Sequence, residues 1–110
     1  MQKISLEAQA REQLERAAAT SSGRSATTVY GGHEHTLRQS VLALTAGTSL
    51  AEHENPGEAT LVVLRGRVRL TSGDTTSEGG SGDLIVIPSA RHSLQAIEDA
   101  AVLLTIVKHG

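Results

Sequence analysis

The pattern of apolar and polar positions divides the chain into two unequal parts. Over residues 5–20, SLEAQAREQLERAAAT, apolar residues recur with helical spacing, and Leu6, Ala10, Leu14 and Ala17 or Ala18 form one narrow stripe. Ser5 is placed to cap the N-terminus. Glu7, Arg11 and Glu15 stand four apart on the other side, a spacing at which charges pair. The SSG at 21–23 supplies the stop, with Gly23 as the C-terminal cap. A stripe of two leucines and a few alanines is too small to be a core by itself, so the helix is expected to dock on something larger.

Beyond residue 24 the period changes from helical to alternating. SATTVY (25–30), TLRQSVLAL (36–44), ATLVVL (59–64), RVRL (67–70), a short segment within 74–78, DLIVIP (83–88), HSLQAI (92–97) and AVLLTIV (101–107) all read as strands. Between them lie turns at TAGT (45–48), Gly66, the glycine-serine stretch before Asp83, and Glu98-Asp99. Many short strands separated by Gly, Pro and Asp turns predict an all-β sandwich or barrel. The organisation expected is an N-terminal helix over residues 1–24 and a barrel domain over 25–110.

Two strands depart from the alternation of a sheet with one wet face. In ATLVVL, Ala59, Leu61 and Val63 point one way and Thr60, Val62 and Leu64 the other. AVLLTIV behaves in the same way. Their outer faces therefore need a cover, supplied by the helix, a second sheet or a partner subunit. A homodimer is the economical expectation for so small a barrel.

Composition narrows the function classes. Tyr30 is the only aromatic residue, so the core is aliphatic and there is no stacking platform for nucleic-acid bases. Ten basic and twelve acidic residues give a net charge of −2 with no basic stripe, which argues against a nucleic-acid partner. There is no cysteine, which removes disulfides, thiolate ligands and a cysteine nucleophile. MQKISLEAQA has no apolar core of signal-peptide length and no later run approaches a membrane span, so the expected location is cytoplasmic, with no membrane partner.

The candidate chemistry is imidazole-based. AEHENPGEATLVVLRG (51–66) places His53 just before an apolar strand. In YGGHEHTLRQ (30–39), His33 and His35 stand two apart, which on an extended segment puts both on one face; Leu37 and Gln39 continue that face toward the expected barrel interior. His-x-His at strand spacing suits a metal, and equally a polar surface turn. Arg91 adjoins His92 and suits an anionic ligand. No serine sits in a strand-turn-helix elbow, and GGSG (79–82) precedes no helix, so a phosphate loop is not expected.

Residues 36–107 resemble the cupin superfamily, small double-stranded β-helices of the jelly-roll type. The family's first motif is G-x5-H-x-H-x3-4-E-x6-G. Here Gly47 is followed by five residues and His53, Asn55 stands where the second histidine would be, and counting back from Gly66 puts Ala59 at the glutamate position. The second motif is G-x5-P-x-G-x2-H-x3-N. Gly82, DLIVI and Pro88 match it; His92 arrives one residue early, with Ala90 near the glycine. Of the four family ligands His53 and His92 remain. Glu58 is one residue from the glutamate slot, and only a bulge between Glu58 and Thr60 would turn it to the same face.

The resemblance implies a cupin-type barrel preceded by one α-helix. It also implies a small-molecule ligand held in the barrel by His53, Asn55, His92, Arg91 and Gln39, at a degenerate and metal-free site. The alternatives are a metal-dependent cupin dioxygenase or isomerase, in which His53 and His92 with His33, His35 or Gln39 hold Fe, Mn, Ni or Zn, and a non-catalytic structural or interaction barrel. The fold alone does not choose among these, because one fold hosts many functions.

Overall fold

The computed structural model describes residues 1–53 and 57–108, with residue 53 described through its backbone alone. In chain order the elements are α1 (Leu6–Ala19), β1 (Arg24–Tyr30), β2 (Leu37–Leu44), β3 (Ser49–His53), β4 (Gly57–Arg65), β5 (Arg67–Ser72), β6 (Thr75–Gly80), β7 (Leu84–Ile87), β8 (His92–Ala96) and β9 (Ala100–Lys108). The expected helix and strands are all present. β3 is the element that the sequence pattern did not single out.

The strands form two antiparallel sheets, a five-stranded one in the order β1-β2-β9-β4-β7 and a four-stranded one in the order β3-β8-β5-β6. The links β2–β3, β4–β5, β6–β7 and β8–β9 each pass from one sheet to the other, so β2 lies over β3, β9 over β8, β4 over β5 and β7 over β6. This is a jelly roll with one strand added: β1 extends the larger sheet and has no strand opposite it.

The core between the sheets is aliphatic. Leu44, Ala59, Leu61, Val63, Val68, Leu70, Ile85, Ile87, Leu94, Ala96, Ala100 and Val102 form one buried cluster, flanked by Leu42, Leu50, Leu104 and Ile106. The outer face of the larger sheet is covered in part by α1. Ala10 and Ala17 of the helix and Val41, Ala43 and Ala101 of the sheet lose all exposure there. Ser5 caps the helix as expected, its Oγ accepting from the Ala8 N–H at 3.1 Å. Gln13, absent from the expected stripe, is buried to 2 % exposure and accepts a hydrogen bond from the Ser25 hydroxyl, which ties the helix to β1. The helix ends at Ala19 with Thr20 as its cap. Gly23 is therefore not the cap; it adopts φ +69 in the turn that leads into β1.

Glycine fixes the β4–β5 corner. Gly66 has φ +78, and a Cβ there would overlap the carbonyl oxygen of Asp99 in the β8–β9 turn. At the same end Asp99 Oδ1 accepts from the Ala46 N–H at 2.8 Å, and Asp83 Oδ2 accepts from Gly80 N–H at 2.9 Å. Asp83 and Gly82 therefore close the turn in front of β7, which explains the GDLIVIP signature. Gly66→Ala is expected to cost at least about 2 kcal/mol of unfolding free energy, through positive-φ strain and backbone overlap. A denaturant titration with an unchanged midpoint would show that the corner has room for a methyl group.

Candidate functional site

The antiparallel register brings the predicted site residues to one end of the sandwich. His53 closes β3, Arg91 and His92 stand at the start of β8, Gln39 lies near the start of β2, and the β1–β2 turn carries His33 and His35. The turns at Gly47, Gly66 and Gly82 lie at the opposite end.

His92 is the best-defined group. It alternates with Leu94 and Ala96, both in the core, so it faces inward, and it is 4 % exposed. Its Nδ1 lies 2.9 Å from the carbonyl oxygen of Ala90. A carbonyl only accepts, so Nδ1 carries a proton and donates it to Ala90. The Ser72 hydroxyl donates to the Arg91 carbonyl at 2.8 Å and steadies the same loop from β5.

The backbone sets position 53 opposite His92. Leu50 pairs with Leu94 and His53 with His92, so β3 advances three residues while β8 retreats two. The surplus residue is a β-bulge. Paired positions in an antiparallel ladder share a face, so the bulge gives position 53 the register of the inward-facing His92. Glu52, within the bulge, accepts a hydrogen bond from Arg91 Nε at 2.9 Å, in an ion pair exposed by 56 % on Glu52 and 60 % on Arg91. The anionic partner that the sequence suggested for Arg91 is thus met within the chain by Glu52.

Two expectations about placement are corrected, for Gln39 and for the pair His33 and His35, and the condition set for Glu58 is not met. Gln39 does not point into the barrel. Its Nε2 donates to Thr105 Oγ1 at 3.1 Å, and it lines a recess with Ile4, Leu6, Val29 and Leu103 on the helix side of the larger sheet. The reason is parity: Leu42 and Leu44 pack in the core, so Gln39, like Val41 and Ala43, faces outward. His33 and His35 are not on an extended strand. They are exposed in the turn that precedes β2, where the His35 N–H donates to the Gly32 carbonyl at 3.2 Å and the His35 ring meets the Tyr30 ring edge-on at 5.3 Å. Glu58 is not rescued by a bulge. Glu58, Ala59 and Thr60 pair in sequence with Val107, Ile106 and Thr105, so Ala59 faces inward and Glu58 outward. Asn55 lies outside the described residues.

These placements test the donor set for a metal. At the four motif positions the chain offers His53 and His92, Asn55, and the methyl group of Ala59 where the motif has a carboxylate. Among the described residues no three histidine or acidic side chains come together. Of that set His92 is the histidine whose side chain lies among the described residues, and Ala59 brings no donor.

One arrangement on the inner face was not anticipated. Along β2 the inward positions run Arg38, Ser40, Leu42, Leu44, from a charge at the mouth to an aliphatic floor. Strong polar residues at alternate positions could have revealed this in the sequence, had the parity of β2 been known.

The Cupin domain family model matches residues 40–108 of the chain. Among solved structures, a conserved protein of unknown function from Streptococcus pyogenes aligns at 27 % identity and a TM-score of 0.73, covering 83 % of this chain and 79 % of that one. A cupin superfamily protein from Desulfitobacterium hafniense aligns at 16 % identity and 0.72, covering 78 % of each chain, a likeness of fold alone. An RmlC-like cupin protein from Desulfovibrio desulfuricans aligns at 27 % identity and 0.66, covering 76 % of this chain and 81 % of that one. No curated protein matched the sequence. No described helix is long and apolar enough to cross a membrane.

Proposed function

The chain belongs to the cupin domain family, and from that premise we propose that it binds a small organic molecule in the barrel, at a degenerate site that needs no metal. The observation that carries this reading is His92, a buried imidazole held by the Ala90 carbonyl at the edge of the aliphatic core. An apolar concave surface with a few fixed polar groups is the usual form of a small-molecule site. In this reading His92, with His53 and Asn55 on the facing strand and its loop, recognises the polar end of the ligand, and Leu50, Leu94, Leu104 and Ile106 receive its apolar part. Arg91 orders the rim through Glu52.

A metal-dependent enzyme is the second reading. It is favoured by one feature: a histidine whose Nδ1–H is held by a carbonyl is in the tautomer that metal-binding histidines adopt. Elemental analysis of protein purified without added metal, repeated on His53→Ala and His92→Ala, separates the two. The binding reading expects no stoichiometric metal in any sample. It also expects a thermal-shift panel of small organic acids, amides and sugars to contain compounds that raise the melting temperature of the wild type and not of His92→Ala. A stoichiometric metal lost in both variants would replace this reading with the enzyme. Ligand shifts unchanged in both variants would remove the histidines from the site.

We also propose a homodimer through the outer face of β4, β7 and β9. Helix α1 leaves this face open, with Leu84 and Val86 exposed by 58 % and 70 % beside a recess lined by Thr60, Thr105 and Val107. Light scattering should return the mass of two chains for the wild type and of one for Val86→Asp. A wild-type protein with the mass of one chain rejects the dimer.

A further inference from the structure

We infer that the ligand is a small carboxylate with a short aliphatic body, and that Arg38 is the residue that binds its charge. This deepens the small-molecule reading above and rests on it. Four observations converge on β2. First, the larger sheet is one strand wider than the smaller, so the inner face of β1 and β2 opens into a depression of ≈450 Å³. That is at the small end of the roughly 300–1,000 Å³ of ligand pockets.

Second, the depression is graded. Leu42, Leu104 and Ile106 form its apolar part, the Ser40 and Thr28 hydroxyls stand 3.5 Å apart in its middle, and Arg38 stands at the mouth, opposite Ile106 in register. Third, Arg38 makes no ion pair or side-chain hydrogen bond among the described residues. Arg11 and Arg24 share that state among the described residues, whereas Arg16, Arg65, Arg67, Arg69 and Arg91 each pair with a glutamate; of the three unpaired arginines, Arg38 is the one that lines the depression. Fourth, no acidic side chain stands among the described residues that line the depression. A guanidinium without an anion, set on the concave side of a barrel above aliphatic residues, matches a carboxylate in fork geometry. The hydroxyls of Ser40 and Thr28 donate to the same head group or its neighbour.

Length sets the size of the body. From Arg38 to Leu42 is four strand positions, about 13 Å, which sets an upper bound on the extended length of an acid with its head at Arg38 and its tail toward Leu42 and Leu104. An amine or a sugar would leave the guanidinium without a counter-charge.

The test uses hexanoate and its neutral counterpart hexanamide as probes, followed by amide resonances of the whole chain in nuclear magnetic resonance titrations. Hexanoate should shift Thr28, Arg38, Ser40, Leu42 and Leu104, and hexanamide should bind at least tenfold more weakly. Arg38→Gln should bring hexanoate down to the level of hexanamide with little change in melting temperature, because Arg38 makes no ion pair or side-chain hydrogen bond among the described residues. Arg38→Lys should restore part of the preference, and added salt should weaken it. Equal binding of the two probes, or hexanoate binding that survives Arg38→Gln, overturns the inference. If that surviving response is lost in His92→Ala, the barrel-binding reading stands without Arg38. No shift from hexanoate up to about 20 mM, well beyond millimolar affinity, also overturns it.

Discussion

One surplus residue in β3 governs how the site is built. Successive strand residues face opposite ways, so a single insertion inverts every position beyond it. Leu50 pairs with Leu94 in the core. Without the bulge, Glu52 would pair with His92 and bring a carboxylate to the inner face beside aliphatic residues, a costly placement for an unpaired charge. With the bulge, Glu52 stays exposed and pairs with Arg91, and position 53 takes the register of His92. A local irregularity in one short strand thus sets which backbone position stands opposite His92.

The second constraint is the unequal width of the two sheets. The aliphatic core fills the space where four strands face four, with no aromatic side chain within it. The fifth strand, β1, is covered from outside by α1 and left open on the inside. The chain therefore needs its helix to bury Val41, Ala43 and Ala101, and it gains an uncovered concave strip beside the barrel. Polar residues on that strip, Thr28, Arg38 and Ser40, are tolerated because they face a solvent-accessible depression and not the packed interior. His92 at the start of β8 and Arg38 near the start of β2 lie at the same end of the sandwich.

Much of this was legible from residues alone, and the failures have a common cause. Gly66 and the GDLIVIP turn announce the corners because positive φ and a capping aspartate have few substitutes. The inward position of Leu94 follows from alternation in HSLQAI, whose other face carries Ser93 and Gln95. β2 defeated the same reasoning. Val41 and Ala43 are buried under the helix while Leu42 and Leu44 are buried in the core, so apolar content cannot tell the two faces apart. Gln39 was assigned inward and Arg38 overlooked for that one reason. β3 escaped notice because SLAEH is short and bulged, and a bulge breaks the period by which strands are recognised. His33 and His35 looked like a strand motif, but Gly31 at φ +87 and the turn after it delay β2 until Leu37.

The most direct measurement is the cross-strand pairing of β3 with β8 in solution, read from backbone nuclear Overhauser contacts in the isotope-labelled protein. The account predicts contacts between the backbone protons of residues 53 and 92 together with those between Leu50 and Leu94. Contacts of His92 with residue 52 instead would mean an unbulged strand with His53 turned away, and would contradict the site as it is described.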